Sequence, residues 1–220
     1  MSSLSDLEPF IKALSNSEAA EREVAVEALV AAGDDELVAR LAKLPQRGDQ
    51  WKSVARVLGL IGSERAIAVL TAALSTAANE VCVTASLALA DAGAVAVPSL
   101  IAGLAHWLPA VRARCAMALG RMKVHDAVEP LLPLAADVDW SVRLEAILAL
   151  AALADDRAVP ALVAALTDEE EAVRQTVPVA LGELGSEAAI AGLRRALIND
   201  DPNVRWIAEW QLAHMADVNA

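Results

Sequence analysis

A helical segment of similar sequence recurs along this chain at a nearly constant spacing, and this repetition limits the possible folds more than any other feature. The clearest copies begin with a Val-Arg pair, and the arginines of four copies lie 31 residues apart: Arg112, Arg143, Arg174 and Arg205. The same register extends backward to Cys82, Trp51 and Arg22. A period of this length is typical of arrays of supersecondary units, each of which buries its apolar side only against its neighbours.

The composition fits such an array and excludes some partners. Hydrophobic residues make up 56% of the 220 residues but aromatic residues only 3%, so small and aliphatic side chains must form the buried surface. The formal net charge is −12 at pH 7. Nucleic-acid affinity comes largely from Lys and Arg that neutralise phosphates, so this charge argues against a nucleic-acid partner and against anionic membrane surfaces. It favours a basic partner protein.

Neither a disulfide framework nor a membrane span is expected. The two cysteines, Cys82 and Cys115, form no CxxC motif, so we expect reduced thiols, with Cys115 on a buried stripe, and a cytoplasmic location. The first residues have neither the basic nor the apolar region of a signal peptide. Residues 85–104 are apolar and long enough to span a membrane, but Gly93 and Pro98 interrupt them, so we predict two short helices there.

Each repeat is predicted to contain two helices. In the sixth repeat, residues 170–184 place apolar side chains at helical spacing and are followed by Gly185, and residues 187–197 form a second amphipathic run. The second run ends in Asn-Asp-Asp-Pro at residues 199–202, which is a turn and N-cap signal for the next repeat. No linker separates the repeats. The sequence therefore predicts one all-α domain, residues 1–220, of seven two-helix repeats.

These patterns resemble the HEAT repeats, in particular the short bacterial type first associated with phycobilin lyases. Residues 137–150 and 156–162 match the two helices of that repeat closely. The resemblance implies a right-handed α-α superhelix, that is, a HEAT-repeat solenoid. It also implies a ladder between neighbouring repeats, in which an Asp lies six residues before the Arg. The implied structural ladder consists of Asp137, Arg143, Asp168, Arg174, Arg112 and Arg205.

The ladder is weaker outside these repeats. Asn16 and Asn199 keep a polar residue six positions before their arginines, and His106 stands before Arg112. The pairs Pro45/Trp51 and Thr76/Cys82 depart from the pattern. We therefore expect a different geometry in the second and third repeats, with residues 46–50 forming a longer, exposed turn.

No motif of catalytic chemistry accompanies the repeats. The three histidines lie in different repeats without a HExxH motif or a His-Glu pair, which argues against a metal centre and against the iron site of HEAT-type deoxyhypusine hydroxylases. Nucleophile-elbow and phosphate-loop motifs are absent. The acidic runs at residues 34–36 and 168–171 fall at helix N-termini, where carboxylates act as caps. HEAT-like DNA glycosylases are disfavoured because 18 basic residues face 30 acidic ones. We expect no catalytic residue, metal or cofactor.

The variable positions of the recurring helix carry the functional prediction. If the Val of the Val-Arg pair is position 0, the buried stripe takes positions 0, 4, 7, 8 and 11, so positions 2 and 6 point the opposite way. The first two repeats have charged residues there. In repeats three to seven these positions are mostly apolar and predict a partner-binding concave groove, here called the apolar face: Val83, Leu87, Met117, Leu144, Leu148, Val179, Trp206 and Trp210.

Further positions of the repeat bear on this surface. Position 9 is small in six repeats, which would leave room for a ligand or an inserted helix, and Pro178 predicts a kink in its helix. Trp107 and Trp140 lie just before their helices and are predicted rim contacts for a partner, although packing between turns explains them equally well. The sequence also allows an apolar face that binds no partner. Tight curvature of the array could bury this face, or Trp206 and Trp210 could simply cover the C-terminal end of the array.

We interpret the chain as a non-catalytic scaffold or adaptor whose apolar face holds a helix or extended segment of a partner protein, either basic or presenting an apolar helix. The alternative, which the resemblance suggests, is an enzyme of the phycobilin-lyase kind or another protein that handles a bilin or other tetrapyrrole. Glu145 or Glu209 would then serve the pyrrole nitrogens. A third possibility is a homodimer, rather than a monomer, in which two such faces cover one another.

Overall fold

The computed structural model describes residues 4–16, 18–76 and 78–218, and every regular element in these ranges is helical. This result confirms the all-α prediction. Helices with the recurring Val-Arg register alternate with a second type. The recurring helices are α2 Ala19–Ala32, α4 Gly48–Ile61, α6 Asn79–Asp91, α8 Pro109–Arg121, α10 Trp140–Leu153, α12 Glu171–Leu184 and α14 Pro202–Val218. The second helices are α1 Leu4–Ala13, α3 Asp35–Leu41, α5 Glu64–Leu74, α7 Val97–Gly103, α9 Val128–Leu131, α11 Val159–Ala165 and α13 Glu187–Ala196.

Local sequence signals set the helix ends of the sixth repeat. Gly185 follows α12 in the left-handed region, at φ 65°, and its N–H donates to the carbonyl of Leu181. Ser186 then caps α13, because its hydroxyl accepts the N–H of Ala189 at 3.2 Å. The two helices predicted there are confirmed, with ends that differ by one residue.

The apolar stretch over residues 85–104 is divided as predicted. It contains the end of α6, a 3₁₀ turn at Gly93–Ala96 and α7. Further 3₁₀ turns precede α9 and α11, at His125–Ala127 and Asp156–Ala158, and Leu132–Ala136 follows α9. Within the described ranges, none of the helices has both the length and the apolar character that crossing a membrane requires.

Two predictions about local structure are wrong, and a third stays open. The turn predicted over residues 46–50 is wrong at residues 48–50, because Gly48 at φ 61° lets the chain enter α4 directly after Arg47. Trp140 is the first residue of α10 rather than the last of the turn. The helix α12 continues through Pro178, which is buried, and the kink at this residue stays a prediction.

The helices group into two compact units, Met1–Gly103 and Leu104–Ala220, which we describe separately. In the first, α2 packs against α4 and α4 against α6; in the second, α8 packs against α10, α10 against α12, and α12 against α14. A single domain over residues 1–220 stays a prediction. The buried stripe of α10 follows the expected register, with Val142, Ala146, Ala149, Leu150 and Leu153 all buried.

Both cysteines are free, as the sequence suggested, and both are buried, which the sequence predicted for Cys115 only. Burial raises the pKa of the Cys115 thiol to about 12, so it is inert at neutral pH. Cys82 stands where other repeats have Arg, and its Sγ donates to the carbonyl of Thr76 at 3.3 Å. The thiol thus makes the same backbone contact, six residues back, that the arginines make.

Within residues 104–220, the arginine at position 1 joins its own turn to the next repeat. Arg143 Nη1 donates to the carbonyl of Asp137 at 2.9 Å, in the turn before α10. Its Nε and Nη2 donate to the two carboxylate oxygens of Asp168, each at 2.7 Å. Both side chains are only 8% exposed. Asp168 also accepts the N–H of Glu170 at 2.9 Å, so the same carboxylate orders the turn before α12.

The preceding rung repeats this arrangement. Arg112 donates to the carbonyl of His106 at 2.8 Å and to the two oxygens of Asp137 at 2.6 and 2.8 Å. An Asp that lies six residues before an arginine therefore has two roles. Its main-chain carbonyl accepts from that arginine, and its carboxylate accepts from the arginine of the preceding repeat. This double use explains why His106 can replace Asp before Arg112, since only its carbonyl is required there.

The last rung uses an acid that the sequence reasoning missed. Arg174 pairs with Asp201, at 3.2 and 3.4 Å, and not with Asn199. Asn199 instead donates through its side-chain nitrogen to the carbonyl of Leu166 at 2.8 Å, while its own carbonyl accepts from Arg205 at 2.6 Å. A neutral amide offers an arginine no opposite charge, and the pairing uses the carboxylate of Asp201, two residues further along the chain.

Position 9 of the recurring helix is small because consecutive helices touch there. A Cβ built on Gly120 would lie 2.6 Å from the Cα of Ala149 in α10, and one on Gly59 would overlap the carbonyl of Ala88 in α6. The prediction that these small residues leave room for a ligand is therefore wrong at Gly59 and Gly120. The backbone of the neighbouring helix fills that space.

Replacing Arg143 with Met should lower the free energy of unfolding by about 3 kcal/mol, because it leaves the buried Asp168 carboxylate without its cation and the Asp137 carbonyl without its donor. Urea denaturation at pH 7 measures this change. Arg157→Met is the matched control. Arg157, like Arg143, forms ion pairs with carboxylates, here those of Glu129 and Asp155, but its side chain is half-exposed. It should cost less than about 1 kcal/mol. Equal losses in the two variants would contradict the structural importance of the buried rung.

The buried rungs should also make the fold sensitive to acid. Burial raises the pKa of Asp137 and Asp168, but hydrogen bonds from Arg112 and Arg143, a backbone N–H in each turn and the positive charge of the arginines together outweigh it, so both pKa values lie below that of an ordinary aspartate. A lowered pKa in the folded state gives stability that is complete above the unfolded-state pKa and is lost as pH falls through the folded-state value. Unfolding free energy, measured by urea denaturation from pH 7 to pH 2, should fall below about pH 4. Asp168→Asn should flatten this dependence on pH. Asp156→Asn, at an exposed carboxylate, is the matched control.

Gly120→Ala should destabilise the fold by about 1 to 3 kcal/mol, because the new methyl group overlaps Ala149 and two helices must separate. Thermal unfolding followed by circular dichroism measures the loss. Gly182→Ala is the matched control, since the atoms nearest to its new Cβ belong to the flexible side chain of Gln211. There the gain in helix propensity should make the change neutral or stabilising. A stable Gly120→Ala protein would refute the close helix contact.

Candidate binding face

In residues 1–103, the apolar face is represented by Val83 and Leu87 on α6. Val83 is half-buried and Leu87 is exposed. Both line a cavity of 530 Å³ whose opposite wall carries Lys52 and Arg56 of α4. The charged positions of the second repeat and the apolar positions of the third therefore meet in one cavity.

The two cations of this cavity are already paired with carboxylates. Lys52 Nζ lies 3.1 Å from an oxygen of Asp49 and 3.4 Å from one of Glu80, and hydrogen bonds to these acids raise the pKa of Lys52. Arg56 binds both oxygens of Glu23 in α2, at 2.5 and 2.8 Å, and this hydrogen bonding lowers the pKa of Glu23. These pairs are exposed, so they add little stability. The cavity therefore has an apolar wall on α6 and, on α4, two cations whose charges neighbouring carboxylates neutralise.

In residues 104–220, the apolar face comprises residues of four helices that pack one against the next. Met117 of α8 and Leu144 of α10 are half-buried. Leu148 is 42% exposed, Trp206 is 66% exposed and Trp210 is 48% exposed, and Val179 of α12 is exposed as well. Because these residues occupy positions 2 and 6 of helices in the same register, they lie on the same side of their helices.

The tryptophans of α14 lie one helical turn apart on that side. The indole ring of Trp210 stacks on His214 of the following turn, with ring centroids 3.8 Å apart and planes tilted by 31°. His214 Nδ1 also lies 2.8 Å from the carbonyl oxygen of Trp210. The ring of Trp210 is thus held in place on one side and open on the other, while Trp206 is largely in solvent.

The predicted rim residues are also exposed. Trp107 lies in the turn before α8, and its carbonyl accepts from Arg112 at 3.2 Å, which fixes the backbone and leaves the indole outside. Its ring centroid is 5.5 Å from that of His106. Trp140, at the start of α10, is exposed as well. The packing of turns against one another therefore covers neither indole.

A smaller cavity of 230 Å³ lies between α8 and α10 and brings together two charged residues that the sequence reasoning did not combine. Arg114 and Glu145 both occupy position 3 of their helices and line this cavity beside Met117. Burial raises the pKa of Glu145, and the Arg114 charge opposes this effect. The sequence did contain a signal for this pair, because two opposite charges occupy the same position of consecutive repeats, 31 residues apart. The sequence analysis did not predict a cavity on that side of the helices.

Another cavity, of 770 Å³, lies at the turns around α12 and α14, and three of the charged residues that line it, Asp168, Arg174 and Asp201, are used by the structural ladder. Asp168 binds Arg143, and Asp201 binds Arg174. In the part of the chain that the structure describes, no three His, Cys, Asp or Glu side chains are grouped so that they could hold a metal ion. His106 Nδ1 accepts the N–H of Leu108 at 3.0 Å, a local turn contact.

Comparisons with known proteins agree with this architecture. No curated protein matches the sequence. Among solved structures, the X-ray structure of the Escherichia coli protein YibA is 18% identical, with 96% of this chain and 82% of that chain covered and a TM-score of 0.60. An engineered protein is 22% identical, with coverage of 96% and 99% and a TM-score of 0.54. A designed armadillo repeat protein is 18% identical, with coverage of 95% and 99% and a TM-score of 0.51. These likenesses show the fold alone.

The family comparison is more specific than the structural one. The model described as HEAT repeats matches residues 97–166 and 130–213, which together cover more than half of the chain. The model described as PBS lyase HEAT-like repeat matches residues 52–76. The resemblance to these repeats, first suggested by the Val-Arg register, is thus confirmed: the chain belongs to the HEAT-repeat family and carries a repeat of the phycobilin-lyase type.

Proposed function

We propose that this chain is a non-catalytic scaffold that binds a helix or extended segment of another protein on its apolar face. One observation carries the proposal: large apolar side chains stay exposed at positions 2 and 6 of successive recurring helices, with Leu148, Trp206 and Trp210 between 42% and 66% exposed. Exposed apolar residues that adjoin one another, rather than occurring singly, are typical of interaction surfaces.

The contrast between repeats supports this interpretation. The first two repeats place Glu23, Glu27, Lys52 and Arg56 at the same two positions. The fold therefore tolerates charged residues there, and stacking of the repeats does not require apolar ones. Tryptophan contributes more binding energy at protein interfaces than most residues, because one side chain buries a large area with little loss of conformational entropy.

The charge of the chain indicates the chemistry of the partner. With a net charge of −12, the protein attracts basic partners over a distance and repels acidic ones. The expected partner is therefore a basic protein that presents apolar side chains. A shared cytoplasmic location belongs to the same proposal.

Tetrapyrrole handling is the second candidate, and one observation favours it. Glu145 lies in a cavity beside Met117, and burial raises its pKa, so a carboxyl group is available next to the apolar face. Such a group suits a hydrogen bond to a pyrrole nitrogen. Addition of a bilin to the purified protein, followed by visible absorption spectroscopy, distinguishes this function from the scaffold, which should leave the bilin spectrum unchanged.

Replacing Leu148 and Trp210 individually with Glu should weaken partner binding by more than about tenfold, because a charge would have to be buried where an apolar group was. Partners are first identified by affinity purification and mass spectrometry, and each is then titrated against the purified variants by calorimetry. Ile198→Glu is the matched control, because Ile198 is equally apolar and more exposed but lies after α13, outside the apolar face.

The same variants test the homodimer. Light scattering after size-exclusion chromatography should give one unchanged mass for the wild type, Leu148→Glu, Trp210→Glu and Ile198→Glu if the face serves another protein. A wild-type dimer that dissociates in the two face variants alone would assign the surface to self-association. Unchanged partner affinity and unchanged mass in both face variants would refute a binding role for the apolar face.

A further inference from the structure

The cavity between α8 and α10 is a polar opening within the apolar face. Its walls are Ala110, Ala113, Arg114 and Met117 from α8 and Ser141 and Glu145 from α10. Its volume of 230 Å³ far exceeds the space of one water molecule, about 30 Å³. Alanine side chains keep it open, and Met117 can adjust its shape to a ligand. A group larger than water can therefore enter it.

Arg114 has a hydrogen-bond donor in this region that its surroundings do not use. Its Nε is buried and has no hydrogen-bond partner among the residues that the structure describes. A buried donor without an acceptor is destabilising, so a ligand group that accepts from it is favoured. Arg112, two residues earlier on the same helix, differs sharply, because it donates to two carboxylate oxygens and two carbonyls.

Glu145 provides the complementary group on the facing helix. It lines the same cavity, it is half-buried, and the charge of Arg114 reaches it strongly enough to influence its pKa. Yet no ion pair joins the two side chains in the described structure, whereas Arg112 and Arg143 each bind a carboxylate directly. The cavity is therefore lined by one cation and one carboxylate that form no ion pair with each other, and the cation keeps a donor, Nε–H, without an acceptor.

From this arrangement we infer that the Arg114–Glu145 cavity binds a neutral carboxamide, from a Gln or Asn side chain or from the main chain of the bound segment. The amide carbonyl accepts from Arg114, and the amide N–H donates to Glu145, so each protein group gains a partner. This inference rests on the proposed function, since it names the polar group that the apolar face recognises.

Charged ligands fit the cavity less well than an amide. A carboxylate or phosphate would pair with Arg114 but place a second negative charge beside Glu145. An ammonium group would pair with Glu145 but stand next to the Arg114 guanidinium. Of these ligands, only the neutral amide has both an acceptor and a donor and brings no like charge. The preference for an amide over charged ligands therefore follows from the presence of both Arg114 and Glu145 in one cavity.

Three small probes that differ mainly in their polar group test this preference: butyramide, butyrate and butylammonium. Each is titrated at pH 7.5 into the full ¹⁵N-labelled chain, and the Nε–H resonance of Arg114 is followed by NMR. Arg114→Lys assigns this resonance, since it removes Nε–H and keeps the charge. Butyramide should give a saturable shift with an affinity at least about fivefold above that of either charged probe, as expected for one hydrogen bond gained or lost.

Glu145→Gln provides a matched variant of the same size. Without the carboxylate charge, and with a side-chain amide that can donate, the cavity should reverse its preference and bind butyrate better than butyramide. N-methylbutyramide, which resembles a peptide group, distinguishes the two sources of the amide. Tighter binding than butyramide assigns the site to main-chain recognition, and weaker binding assigns it to Gln or Asn side chains.

The inference is overturned if butyramide gives no saturable shift, if either charged probe binds the wild type better, or if Glu145→Gln keeps the wild-type order. These measurements need no partner protein and follow wild-type resonances, so they stand even if a variant fails to fold. They are also independent of the Leu148 and Trp210 variants. If the amide preference fails but the Leu148 and Trp210 variants weaken partner binding as expected, only the amide site is refuted. If the amide preference holds but those variants leave partner binding unchanged, only the scaffold function is refuted.

Discussion

The bidentate pairing of an arginine with the acid of the next repeat is the interaction on which the structure of residues 104–220 depends. Arg143 binds the backbone of its own turn and the carboxylate of the following one, so a single planar group fixes two turns relative to one helix. Arg112 and Arg174 repeat this contact. Because each rung sets where the next recurring helix begins, equivalent positions of α8, α10, α12 and α14 point in equivalent directions.

Close packing supplies the second constraint. Gly120 allows α8 to approach the backbone of α10 at Ala149, and Gly59 allows the same approach of α4 to α6. Together with the buried stripe, these contacts assign positions 0, 1, 4, 7, 8, 9 and 11 to stacking. Positions 2, 3 and 6 take little part in this stacking, apart from the buried Ala113 at position 2 of α8, and they are where the repeats differ in charge and size. The apolar face and the Arg114–Glu145 cavity both use these free positions.

The first three repeats meet the same packing problem with different chemistry. Arg22, Trp51 and Cys82 occupy position 1, and Cys82 keeps only the backbone contact of an arginine. Trp51 is fully buried, and its Nε1 has no hydrogen-bond partner among the described residues. Ion pairs between recurring helices occur on the exposed side instead, as between Arg56 and Glu23. The repeats thus share the recurring helix and differ in the contacts that stabilise them and in the side chains that they expose.

The sequence by itself determined the number and order of the helices, the buried stripe of each recurring helix and the positions of the apolar face. It could do so because these features follow from a local period that is repeated seven times. It did not determine that Arg174 would choose Asp201 over Asn199, that a neighbouring backbone would fill the space beside Gly120, or that Arg114 and Glu145 would share a cavity. Those outcomes depend on distances between helices, which arise only when side chains from different repeats pack together, and no period along the chain encodes them.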